Sequence, residues 1–187
     1  MLRITKTLIV AALAYAAALV PAFAEKRVAL VIGNSAYKHA ASLKNPKNDA
    51  TGMAAALRRL GFRVFEGTDL DRRGLETRIR DFANDIADAD VALFYYAGHG
   101  LQVNGTNYLA PVDATLKAEA DLDFEAVPLK LVLRQMQRSA RINLVFLDAC
   151  RDNPLAKKLG KASRSLAVGQ GLAAVEKAAG MLIAFAT

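Results

Sequence analysis

The chain has 187 residues, 53% of them hydrophobic and 23% charged, with 12 Gly and 5 Pro, which excludes a disordered, collagenous or low-complexity polypeptide. One cysteine excludes an intrachain disulfide, and two histidines exclude a His-rich metal site. The net charge of +7 is modest and scattered, too weak to argue for nucleic acid, and Arg3 and Lys6 belong to a leading segment of a different kind.

That segment runs basic, apolar, small. Met1 to Lys6 carries the positive charge, Thr7 to Val20 is rich in Ala and Leu, and Ala22-Phe23-Ala24 presents small residues two apart before Glu25. This is the order of a secretory signal peptide, residues 1–24. A spanning helix needs about 20 apolar residues, and Pro21 breaks this run early. An uncleaved anchor is the alternative. The expectation is a protein exported by a bacterium to the periplasm or beyond, with no stable span after cleavage. Residues 25–187 are long enough to bury roughly 70% of their unfolded surface without disulfides. In an oxidising compartment the lone Cys150 is then either deeply buried or chemically employed.

The elements follow in order. Arg27 to Gly33 (RVALVIG) is apolar and β-branched and reads as a buried strand. Asn34 to Lys47 is polar and reads as a loop. Asp49 to Leu60 reads as a helix capped by Asn48, with Met53, Leu57 and Leu60 on one face and Gly61 as the stop. Phe62 to Phe65 is a second strand. Leu75, Ile79, Phe82 and Ile86 make Arg72 to Ala87 an amphipathic helix. Asp90 to Ala97 (DVALFYYA) is a third buried strand, and Asn104-Gly105 within Leu101 to Ala110 signals a hairpin. Val127 to Ser139 reads as a helix with Leu129, Val132, Leu133 and Met136 inward. Ile142 to Asp148 (INLVFLD) is a fourth strand. Arg151 to Lys177, basic and weakly patterned, reads as a flexible linker with room for a short helix. Met181 to Ala186 (MLIAFA) is the final strand.

Strands alternating with helices imply an α/β domain: a three-layer α-β-α sandwich with a mostly parallel central sheet. Reactive groups in such sheets sit just past the carboxyl ends of strands. There the sequence places its cysteine and one of its two histidines: Gly98-His99-Gly100 ends the third strand and Asp148-Ala149-Cys150 the fourth. A thiol beside an imidazole is a nucleophile and acid/base pair for acyl transfer. The glycines flanking His99 leave the Gly100 N–H able to face an oxyanion, with the Cys150 N–H as second donor. The plainer alternatives are a small buried cysteine and a turn histidine. His39, in a polar loop, reads as solvated.

YYAGHG at residues 95–100 and LDACRDNP at 147–154 resemble the His and Cys boxes of the caspase-like clan, whose cysteine follows its histidine by about 50 residues. Asp148 before Ala-Cys looks like the metacaspase branch, its bacterial orthocaspases in particular. RVALVIGNSAY from Arg27, KNDA from Lys47 and NYLAPVDA from Asn107 look like that branch too, so the resemblance runs from about Arg27 to Thr187. It implies a caspase-like fold and a cysteine endopeptidase with Cys150 as nucleophile and His99 as general acid/base. It also implies protein or peptide substrates cut after Arg or Lys, held by the carboxylates of Asp49 and Asp148. The residues agree: positions two apart on a strand share a face, so Asp148 and Cys150 look into one cleft, where small Ala97 leaves room. Two carboxylates repel unless a cation lies between them, and a guanidinium suits both better than an ammonium. For Asp49 the alternative is compensation of a helix dipole; for Asp148 it is an exposed charge at a strand end.

The resemblance also marks departures. Many metacaspases have Ser where Ala97 stands. Calcium activates many of them, but Lys157 stands where an Asp is expected for that site, and Asp121, Asp123 and Glu125 read as a solvated loop cluster. No required cofactor or metal is expected. The family continues beyond the strand at Met181 to Ala186 with segments completing the cleft, so the C-terminal part reads as truncated. Lys157, Lys158, Lys161 and Arg164 are candidate self-cleavage points. The rival reading is a catalytically weak or silent caspase-like interaction module. A nucleotide-binding domain lacks its GxxxxGK[ST] or GxGxxG, and a serine hydrolase lacks its GxSxG.

Overall fold

The computed structural model describes residues 25–149, 154–162, 167–169, 172–173 and 179–186. The expected signal peptide therefore lies outside the described residues, as do Cys150 and Arg164. Among the described residues no helix is long and apolar enough to cross a membrane.

Five strands make one parallel sheet in the order β2-β1-β3-β7-β9: β1 (Arg27–Gly33), β2 (Arg63–Thr68), β3 (Ala89–Gly98), β7 (Ala140–Ala149) and β9 (Met181–Ala186). Alternation along β1 and β3 divides the core into two layers. Val28, Leu30, Ile32, Phe94 and Tyr96 pack with Leu75, Ile79 and Phe82 of helix α2 (Arg72–Asp85) and with Val132, Leu133 and Met136 of helix α4 (Leu129–Ser139). Ala29, Val31, Tyr95 and Ala97 pack against Ala50, Ala54 and Leu57 of helix α1 (Pro46–Arg59). This is the three-layer α-β-α sandwich with a mostly parallel sheet that the alternating pattern implies.

A second, antiparallel sheet runs in the order β6-β5-β4-β8, from β4 (Gly100–Val103), β5 (Thr106–Leu109), β6 (Val127–Pro128) and β8 (Val168–Gly169). Asn104 (φ 49°) and Gly105 (φ 78°) form the β4–β5 turn in the left-handed conformation such a hairpin needs.

The start of the first helix departs from the sequence reading. Helix α1 begins at Pro46 rather than Asp49, with Asn45 before it making no side-chain cap bond. The proline ring presets φ and gives up an N–H that the first turn would leave unpaired anyway. Asn48 is therefore inside the helix, and the loop ends earlier than its polar composition suggests. In the basic segment after the cysteine the sequence leaves room for a short helix, and one is present. Residues Pro154–Ala162 form helix α5, which buries Leu155, Ala156 and Leu159 against Leu101 and Val103. Lys157, Lys158 and Lys161 lie on that helix, and Lys158 Nζ donates to the Thr115 carbonyl at 3.1 Å.

The acidic residues 121–125 form the short helix α3 (Asp121–Glu125), and two of them tie down the preceding loop. Asp121 accepts the N–H groups of Lys117 and Ala118, and Glu125 accepts those of Thr115 and Leu116 plus the Thr115 hydroxyl. Burial pulls the Glu125 carboxyl upward, but these donors outweigh it and hold the group below its ordinary value.

Candidate active site

Strands β3 and β7 are hydrogen-bonded neighbours, and their register pairs Ala97 with Asp148 and Gly98 with Ala149. The two strand ends singled out by the sequence are thus adjacent. Cys150 is the residue after Ala149 and lies outside the described residues, so the site is built here from its other members.

Gly98 ends β3 with φ +154°, and the chain leaves the parallel sheet to enter β4 at Gly100. Strand alternation stops at that turn, and the imidazole of His99 is placed by the loop after β1. Its Nε2 lies 3.0 Å from the Ala41 carbonyl, and its ring lies against Tyr37 with centroids 4.4 Å apart. A carbonyl can only accept, so Nε2 carries the ring proton and Nδ1 presents a lone pair. Among the described residues that Nδ1 is buried with no hydrogen-bond partner. Burial lowers the His99 pKa, with the Ala41 carbonyl acting weakly the other way, so the neutral ring is favoured. The arrangement is a base with one nitrogen anchored and the other buried without a partner among the described residues.

Asp49 and Asp148 reach the same cavity. It measures about 240 Å³ and is also lined by Gly98, Leu43, Lys44 and Pro46. Asp49 comes from the first turn of α1 and is exposed, whereas Asp148 is partly buried at the end of β7. The Tyr95 phenol reports both charges: burial, then Asp148, then Asp49 push its pKa up to about 12. Two carboxylates bordering one cavity favour a cation between them, and Lys44 is the one basic residue that also lines it. Ala97 is fully buried beside Asp148, and its neighbour Gly98 is the residue that reaches the cavity. Gly100 is also buried, opposite Leu109, and its Cα faces the side chains of Ala149 and Leu172. His39 is exposed, in keeping with a solvated role.

Three contributors escaped the sequence reading. The Ala41 carbonyl is a backbone group, and no residue type announces it. Tyr37 and Asn34 stand just past β1 in a stretch that looks like an ordinary polar loop. Their signal is positional: polar residues at the carboxyl end of an inner strand. Asn34 is fully buried, donating to the Ala110 carbonyl and accepting from the Leu70 N–H.

A parallel sheet covered by helices on both faces, with a histidine turn and an acidic cavity at its carboxyl end, defines a three-layer α/β sandwich of caspase-like architecture. The caspase-domain family profile matches residues 26–187, and the chain belongs to that family of cysteine proteases. It is 31% identical over 129 residues to human mucosa-associated lymphoid tissue lymphoma translocation protein 1, and equally to the mouse homolog. Those residues are 68% of this chain but only 15% of each relative's length. The crystal structure of protein GSU0716 from Geobacter sulfurreducens shares the fold, with a TM-score of 0.51 and 22% identity over 67% of this chain and 50% of that one.

Proposed function

We propose that the protein is an exported cysteine endopeptidase of metacaspase type that cleaves peptide bonds after Arg or Lys. Cys150 is the nucleophile and His99 its acid/base partner. The imidazole Nδ1 takes the thiol proton, the thiolate adds to the scissile carbonyl, and the same nitrogen returns the proton to the leaving amine. The peptide C–N bond breaks as the acyl-enzyme forms, and water then releases it. The backbone at Gly100 and Cys150 is assigned to the oxyanion.

One observation carries the specificity. Asp49 and Asp148 line a single cavity that also borders Gly98, the residue before His99. A substrate guanidinium there lies between two carboxylates, and paired hydrogen bonds favour Arg over Lys.

Hydrolysis of a peptide panel with Arg, Lys, Asp or Leu before the cleaved bond tests this reading. Cleavage after Arg, weaker after Lys and none after Asp is the expected order. Equal cleavage after Asp and Arg overturns the pocket assignment. Failure of an Arg-directed electrophile to label Cys150 overturns the protease and leaves a silent caspase-domain module. Export rests on the basic-apolar-small order of residues 1–24. Amino-terminal sequencing of the protein made in a bacterial host is expected to begin at Glu25; a start at Met1 contradicts cleavage.

A further inference from the structure

We infer that Tyr37 and Tyr96 are positioning residues that grip the backbone of His99 from both sides and so set its imidazole. The inference rests on reading His99 as the acid/base group. The turn at Gly98 takes His99 out of the parallel sheet, so both of its backbone groups need partners elsewhere. Phenols meet both. The His99 N–H donates to the Tyr37 hydroxyl at 2.7 Å, and the Tyr96 hydroxyl donates to the His99 carbonyl at 2.7 Å. The amide end receives an acceptor and the carbonyl end a donor.

Both hydroxyls also approach the Ala110 carbonyl, at 3.4 Å from Tyr37 and 3.2 Å from Tyr96, while the Ala110 N–H donates to the His99 carbonyl at 3.0 Å. The turn is thereby tied to the loop after β1, to β3 and to the chain leaving β5. Space is used as tightly as polarity. A Cβ at residue 98 would lie 2.7 Å from the Tyr37 hydroxyl and 2.9 Å from that of Tyr96, so the phenols occupy the room a side chain would take. Tyr37 acts twice, since its ring also lies against the imidazole. With Nε2 on Ala41, backbone and ring are both held before any substrate arrives. Such placement matters because a base displaced by a fraction of an ångström loses its line to the proton.

Cys150 is the only cysteine, so its alkylation by iodoacetamide can be followed without a peptide substrate. The rate is measured against pH for the wild type, His99→Ala, Tyr37→Phe and Tyr96→Phe. In the wild type alkylation should persist well below the ordinary thiol pKa of about 8.5, and His99→Ala should abolish that limb. Each Phe variant should be about tenfold slower at pH 6, with its acid limb moved upward. Above pH 9, where the thiol ionises unaided, both should match the wild type. A simple stability role would lower the melting temperature and leave the pH profile in place. Wild-type profiles for both folded Phe variants, with His99→Ala altered, overturn the inference and spare the Cys-His pair. Coincident profiles for wild type and His99→Ala overturn the pair and the inference together. Should the Phe variants not fold, hydrogen exchange of the His99 amide in the wild type decides. Protection is expected, and exchange at the rate of an open loop overturns the grip.

Discussion

Replacing His99 by Ala is expected to lower kcat/KM on an Arg peptide by about a hundred- to ten-thousandfold, the range that a positioned acid/base group supplies. The geometry says which atom is lost. The Ala41 carbonyl at 3.0 Å from Nε2 fixes the proton there and leaves the buried Nδ1 as the basic site. Burial lowers the His99 pKa, so the sign of the pH effect follows. A base works when unprotonated, and a lowered pKa keeps it so at lower pH. The acid limb of kcat/KM should therefore lie below the ordinary histidine value of about 6.5. His99→Gln, which keeps a polar side chain but has no titrating nitrogen, should be as inactive as His99→Ala and show no such limb. Activity within threefold of wild type in either variant would remove His99 from the chemistry.

Asp148→Ala should lower kcat/KM on Arg peptides by roughly 2–5 kcal/mol, about thirty- to a few-thousandfold, the cost of deleting one partner from a buried charge pair. The carboxylate is partly buried, and a bound substrate side chain would cover it further. Asp148 also has less freedom than its partner, because its backbone is held in the sheet between Ala97 and Ala186. Asp49 sits exposed on the first turn of α1, so Asp49→Ala should cost less, on the order of 1 kcal/mol. The loss should appear mainly with Arg and Lys peptides, and high salt should compress the difference between the two variants. An Asp148→Ala enzyme with undiminished Arg cleavage would place the specificity pocket elsewhere.

The chain order of the parallel-sheet strands and the layering were legible because each carries a local signature, although β2 runs on to Thr68 and Val127–Pro128, read as the start of a helix, is β6. Leu75, Ile79 and Phe82 repeat at helical spacing and are all buried in α2. Met181 to Ala186 stands out as an unbroken apolar run after Gly180 and is β9 as read. Legibility failed where partners distant in sequence decide the outcome. The sequence left room for helix α5 within a linker without fixing it, because its apolar residues are few and bury against Leu101 and Val103, far away in the chain. The α1 boundary was displaced because Pro46 looks like a breaker, although it is an excellent first residue. In the site, His99, Asp49 and Asp148 were legible as residue types that carry charge or protons. Tyr95, Tyr37 and the Ala41 carbonyl were not, since a core tyrosine, a loop tyrosine and a peptide oxygen resemble hundreds of others.

By itself the sequence determined the alternation of strands and helices, the family and the chemical repertoire: one thiol, a histidine in a glycine turn, and the carboxylates of Asp49 and Asp148. Those follow from periodicity and residue type, which are local properties. Only the tertiary structure decided that β3 and β7 are neighbours, that Asp49 and Asp148 share one cavity, and that the histidine is tethered through Nε2 with Nδ1 buried without a partner among the described residues. Strand order, cavity walls and the choice of nitrogen all depend on groups far apart in the chain, and such groups acquire a relation only when packing brings them into contact.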